Sequence, residues 1–148
     1  MLDLTDLKEP FKGKFAELPG HRVEAADAPW GIHALAFAPD GQTLASGSSQ
    51  DRSVRLWDMA HLPKSSACEG DAGLVTSLVF SPKGKTLASA DEDGKVILWE
   101  LASRKMLRHW KFLGARVSTL AFAPDGRHLL VGMATCRIYV LRVDANGT

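Results

Sequence analysis

Five histidines, His21, His33, His61, His109 and His128, are the side chains of this sequence best suited to acid–base or metal chemistry. A zinc hydrolase would set two of them one helical turn apart around a glutamate, because both rings must reach one ion. No pair has that spacing. Nor does the chain hold a GxSxG turn to present a serine nucleophile, or a glycine-rich loop to cradle phosphate. The carboxylate cluster Asp91-Glu92-Asp93 runs into Gly94, and hairpin-turn chemistry accounts for it. Cys68 and Cys136 lie far apart with no CxxC spacing. They read as reduced, small core or strand residues and not as a disulfide. No catalytic residue, metal or cofactor is expected, so the chain is expected to work through its shape and surface.

The bulk numbers point the same way. The chain has 148 residues, enough for one domain with a sizeable core. Its net charge of +1 lacks the excess of cations that a nucleic-acid grip needs, and that partner is not expected. Local candidates for such a patch are Lys12, Lys14, Arg104, Lys105, Arg108 and Lys111, the last four around Trp110. A charged outer edge strand explains them equally, since charge there blocks edge pairing. No apolar run approaches membrane length, and the opening "MLDLTDLKEP" has no basic leader region. A cytoplasmic protein without membrane contact is the expectation.

The elements that must carry any site come in copies. Phe37, Phe80 and Phe122 are each followed by a small residue, a proline, one further residue and a glycine. Proline pre-sets one turn dihedral and glycine accepts the positive φ of a hairpin. A short apolar stretch precedes each turn and another follows it. A second polar turn then leads to a third strand, Val54–Trp57, Val96–Trp99 or Ile138–Leu141. The last two are apolar throughout, which fits burial on both faces. Between units lie candidate fourth strands, Ser65–Glu69 and Met106–Lys111. A meander with two apolar faces cannot stand alone, so neighbouring units must cover it.

These units resemble the WD40 repeat family of β-propellers over roughly residues 14–144. Trp57-Asp58 matches the family's signature dipeptide, Trp99-Glu100 is a close variant, and Leu141-Arg142 stands in its place in the third unit. The resemblance implies a hydrogen-bonded structural set of a histidine, a second-strand serine, a turn aspartate and the third-strand tryptophan. By position these are His21, Ser46, Asp51 and Trp57 in the first unit, and Ser89, Asp93 and Trp99 in the second, which has no histidine. The third has Val131 and Thr135 where serine and aspartate would stand. The implied fold is all-β, a propeller of four-stranded antiparallel blades with three blades per chain, at about 28–60, 71–102 and 114–144. Residues 1–13 read as an amino-terminal arm, carrying Leu2, Leu4, Leu7 and Phe11, and residues 145–148 as a tail.

Three blades fall short of a ring, because propellers have about four to eight. The strand order reads as fourth strand first, with Lys14–Leu18 (Lys14, Phe15, Ala16, Glu17, Leu18) as a fourth strand that completes a neighbouring subunit's blade. The opposite end offers Ile138, Tyr139, Val140 and Leu141 as the matching interface. Two copies would make six blades at roughly 60° each, and three would make nine at roughly 40°. The family's seven or eight blades imply about 45–51°, so the trimer departs less than the dimer, although association entropy favours fewer subunits. The other reading is that the sequence is part of a longer propeller chain. Either way the expected function is a non-catalytic protein-interaction scaffold. Its rim would bind other proteins through Trp30, Arg52, Asp91, Glu92 and Arg116, with Trp30 as an aromatic anchor. A hydrolytic or nucleic-acid-binding propeller is the remaining alternative.

Overall fold

The computed structural model describes residues 18, 20–22, 31–62, 64–68 and 73–143. The described chain is all-β, with eleven strands in three antiparallel sheets. The first blade runs β1 (Ile32–Phe37), β2 (Thr43–Ser48), β3 (Val54–Asp58) and β4 (Ser65–Ala67), paired in that order. The second runs β5 (Val75–Phe80), β6 (Thr86–Asp91), β7 (Lys95–Glu100) and β8 (Met106–Lys111). The third has β9 (Val117–Phe122), β10 (His128–Met133) and β11 (Ile138–Arg142), and no fourth strand among the described residues. Three four-stranded blades therefore become two of four strands and one of three. The proposed arm at 1–13, the strand residues Lys14, Phe15, Ala16 and Glu17, and the tail at 145–148 lie outside the described residues.

The turns explain why the units repeat so closely. Gly41, Gly84 and Gly126 each donate a backbone hydrogen bond to the residue three before, Ala38, Ser81 and Ala123, at 2.8–2.9 Å. All three sit at positive φ, between 65° and 70°, where a side chain would be strained. The inner hairpins also share an irregularity: the register shifts once near the start of β1, β5 and β9.

Cores form between blades, not within them. One unites Ala34, Ala45, Val54 and Leu56 of the first blade with Leu78, Phe80, Leu87 and Trp99 of the second. The other joins Ala88, Val96 and Leu98 of the second to Leu120, Leu129 and Val131 of the third. Adjacent blades approach through β1, β5 and β9 and diverge outward, giving each sheet a wedge-like setting. Gly47 shows how close that approach is: a Cβ there would meet the Val75 side chain of the next blade. Thr76 adds a polar tie, donating 2.8 Å to the Val117 carbonyl in the third blade.

Candidate functional site

The first blade gathers a polar set at the root of the chain's earliest described residues. Trp57 Nε1–H donates to Ser46 Oγ at 2.8 Å, and Ser46 Oγ stands 2.7 Å from His21 Nε2. His21 Nδ1 faces both Asp51 oxygens, at 3.0 and 3.1 Å. A carboxylate only accepts, so Nδ1 carries the ring proton, Nε2 accepts, and the Ser46 hydroxyl donates to it. The chain of donors thus runs from Trp57 through Ser46 to His21, and from His21 to Asp51. Burial alone would push the Asp51 carboxyl up. The Arg22 N–H at 2.9 Å, the Ser53 hydroxyl at 2.7 Å and the His21 ring outweigh it and hold the pKa at about 2. Gly20 lies against the Trp57 ring, so the segment arriving at His21 is fixed to the outer flank of the first blade.

The second blade keeps half of this arrangement. Trp99 Nε1–H donates 2.8 Å to Ser89 Oγ, both side chains buried. Asp93, expected as the turn aspartate, is exposed. Asp91, at the register position of Ser48, is the buried carboxylate of this turn: its Oδ1 accepts the Lys95 N–H at 2.7 Å and it packs against Gly73. Desolvation pushes its pKa up. The sequence cue was that two aspartates flank one glutamate in a tight hairpin, and spacing from the tryptophan selected the outer one. In the third blade Val131 replaces the serine and is fully buried, so packing stands where the polar set would be.

The rim residues separate. Asp91 is buried and unavailable to a partner. Glu92 and Arg116 meet each other at 3.6 Å across the second and third blades. Arg52 is exposed, in a left-handed turn at φ 53°. Trp30 lies outside the described residues. Asp58 closes the turn after β3, its carboxylate accepting from Ala60 N–H at 2.9 Å and pairing with His61 at 2.8 Å. Cys68 is buried, and burial pushes its thiol up to about 11. Cys136, expected in the core or a strand, is exposed in a turn. Among the described residues no group of three or more His, Cys, Asp or Glu is placed to hold a metal ion. Among the described residues no helix is long and apolar enough to cross a membrane.

The largest feature is two flanks. Leu35, Leu78 and Leu120 occupy one register position in successive blades, opposite Ser46, Ser89 and Val131. Leu78 and Leu120 are 8% and 7% exposed under the preceding blade, whereas Leu35 is 64% exposed. Phe37 is bare where Phe80 is buried. The other end mirrors this. Val54, Val96 and Ile138 share a position, opposite Gly47, Ala90 and Gly132. Their exposures are 1%, 0% and 72%. Val140 is bare in the same way where Leu56 and Leu98 are buried. β11 is therefore not buried on both faces as its composition suggested. Nor do all four residues expected at that interface face outward: Tyr139 stacks on Phe112, ring centroids 4.8 Å apart, and Leu141 packs into the core shared with the second blade. The first blade's bare face also holds Arg55, whose Nε is buried without a hydrogen-bond partner.

The family model described as WD domain, G-beta repeat matches residues 14–58 and 64–100, more than half of the chain. The chain belongs to the WD40 repeat family. Each match closes on a Trp-Asp or Trp-Glu pair, and the third blade, with Leu141-Arg142 there, falls outside both. The WD40 chain is similar to pre-mRNA-processing factor 19 homolog 2 of Arabidopsis thaliana, 38% identical over 106 residues, covering 72% of this chain and 19% of that one. It is similar to the small ribosomal subunit protein RACK1y of Oryza sativa subsp. japonica, 34% identical over 96 residues, covering 64% and 28%. It is similar to THO complex subunit 3 of Arabidopsis thaliana, 30% identical over 140 residues, covering 90% and 42%. The chain thus spans less than half the length of each of these relatives.

Proposed function

We propose that this WD40 chain is a non-catalytic interaction scaffold, three consecutive blades of a propeller ring that further copies of the chain close, three copies and nine blades in preference to two and six. The observation that carries this is the change in exposure along equivalent positions. Leu78 and Leu120 are covered by a blade and Leu35 is not; Val54 and Val96 are covered and Ile138 is not. Each bare flank is built like a flank that a blade already covers, so a blade is the shape that fits it. The flank of one end complements that of the other, which is the condition for head-to-tail contacts that close into a ring. Exposed apolar side chains clustered on one face mark interaction surfaces. Names such as THO complex subunit 3 and small ribosomal subunit protein among the relatives support a role within assemblies. The rim, with Arg52 and the Glu92–Arg116 pair, is the surface offered to other proteins, in the cytoplasm.

The second reading is that blades of a longer polypeptide cover the same flanks, and the 19–42% of the relatives' length that the chain spans favours it. A chain carrying Leu35→Asp with Ile138→Asp separates the readings in sedimentation velocity. Under the proposed reading the unaltered chain associates and the doubly substituted chain stays folded and monomeric. An unaltered chain that sediments as a monomer at every concentration contradicts self-closure.

A further inference from the structure

We propose that the cleft between the second and third blades, at the end of the strands opposite the rim, binds a short acidic peptide that carries a bulky apolar side chain. The inference rests on the scaffold part of the proposed function, which it deepens, and is independent of how the ring closes.

The inner hairpins differ at one position in a way that turn chemistry does not explain. Asp40 Oδ1 accepts the Gln42 N–H at 2.9 Å, and Asp125 Oδ1 accepts the Arg127 N–H at 2.8 Å. A carboxylate at that place ties the turn to itself. The second hairpin has Lys83 there, a donor that cannot accept from the Lys85 N–H. Two residues on, Gln42, Lys85 and Arg127 hold one position: their carbonyls accept the N–H just past the third strand, from Met59, Leu101 and Val143. The first unit thus has Asp and Gln where the second has two lysines.

These lysines line a cleft. Lys83, Lys85 and Arg127 surround about 260 Å³ between the second and third blades, and Asp125 adds a carboxylate to the lining. That carboxylate is taken up by the His128 ring at 2.8 Å and by the Arg127 N–H. None of the three cations has an ion-pair partner among the described residues. Like charges gathered in a recess without a counter-ion repel one another, and an anion is the ligand that relieves them.

The recess continues past Lys85, Thr86 and Val143 into a second, of about 410 Å³, with an apolar floor. Leu98 is buried there, Leu107 is 52% exposed, and the Arg108 guanidinium carbon lies 5.7 Å from the Trp110 ring centroid. Glu100 also lines it, its Oε2 accepting the Ser103 hydroxyl at 2.5 Å. A cationic seat therefore adjoins an apolar one. Inorganic phosphate would use only the first. An extended peptide advances about 3.3–3.6 Å per residue, so acidic and apolar side chains a few residues apart reach both.

The cleft comes from blade packing and not from the edge at which the third sheet stops. Its counterpart between the first and second blades holds about 420 Å³, beside a second blade with all four strands. Thr43, Leu56, Asp58 and Leu101 stand there for Thr86, Leu98, Glu100 and Val143. Gln42 and Ser66 stand for Lys85 and Arg108. The frame is the same and the lysine pair is missing. The rim lies elsewhere, because Lys85 precedes the first residue of β6 and Glu92 follows its last.

The test titrates the full chain with a fluorescein-labelled capped peptide, Asp-Glu-Asp-Gly-Leu-Phe, and with versions carrying Lys for each acid or Ser for Leu and Phe. Anisotropy should show the first binding at least about tenfold tighter than the others, and weakening as salt rises. Lys83→Asp with Lys85→Gln gives the second hairpin the residues that already form this turn in the first unit, and should cost at least about tenfold in affinity. Leu107→Ser should weaken binding as well. Affinity unchanged in both variants but lost with Arg116→Ala puts the peptide on the rim, which overturns the cleft and leaves the scaffold. An unaltered chain that binds none of the peptides overturns the cleft, and light scattering of that sample reports ring closure separately. A labelled single-stranded DNA that binds more tightly than the peptide, and is lost with the same two lysine substitutions, overturns the peptide as occupant.

Discussion

Leu35 and Leu78 hold the same place in consecutive blades, yet Leu35 is 64% exposed and Leu78 is 8% exposed. Among the described residues, the difference is a blade that stands in front of one and not of the other. Two leucines of one chain thereby report what the first blade lacks.

That contrast sets the first expectation. Leu78→Ala removes a buried side chain from the core between the first two blades and should cost about 2–5 kcal/mol in urea unfolding of the dissociated chain. Leu35→Ala should cost that chain less than about 0.5 kcal/mol, because its side chain is already wet. In the assembled protein Leu35→Ala should instead raise the concentration needed for association. Equal effects of the two substitutions on the dissociated chain would contradict the flank assignment.

Ser46 joins two partners and Ser89 one. Ser46→Ala leaves the Trp57 N–H and His21 Nε2 without their shared partner, at about 1–3 kcal/mol for a buried group left unsatisfied. Ser89→Ala orphans the Trp99 N–H and should cost less. Denaturant melts of both variants check the order.

The two buried aspartates should respond to acid in opposite senses. Asp51 is held at about 2, below its ordinary 3.8, so its contribution is full above about pH 4 and is lost as pH falls towards 2. Asp51→Asn should therefore destabilise at neutral pH and flatten the acid limb of the stability curve. The Asp91 pKa is raised, so its charged form is the less favoured in the folded chain. Stability from that group rises as pH falls through its folded pKa. Asp91→Asn keeps an oxygen for the Lys95 N–H and should leave neutral-pH stability equal or higher. Urea midpoints between pH 2 and pH 7 decide both.

Gly94 sits at φ 82° in the turn between β6 and β7, and a Cβ there would collide with the Phe112 carbonyl oxygen and come within 2.6 Å of the Ala115 oxygen. Backbone atoms cannot rotate aside. Gly94→Ala should destabilise by more than about 1–3 kcal/mol, the usual cost of a strained backbone position. Thermal melting of that variant checks it.

Much of this was legible in the residues. The Pro-x-Gly turns and the period of the phenylalanines set the strands of all three units, because turn dihedrals and alternation are local. The sequence places a fourth strand at Met106–Lys111, and β8 has those bounds. What failed was non-local. Asp93 and Asp91 look alike in sequence, and only the approach of Gly73 selects which carboxylate is buried. The apolar run of β11 read as doubly buried, because composition records what a strand is built to meet and not whether its neighbour is in place. Apolar composition groups Tyr139 and Leu141 with Ile138 and Val140, although alternation along a strand sends the two pairs to opposite faces.

The most direct measurement is the mass of the unaltered chain in solution, by light scattering over a concentration series. Closure by copies predicts a discrete particle of three times the 16.0 kDa chain, or of twice that mass if six blades suffice, with no larger species. A single 16.0 kDa particle at every concentration, with Leu35 and Ile138 still wet, would contradict it.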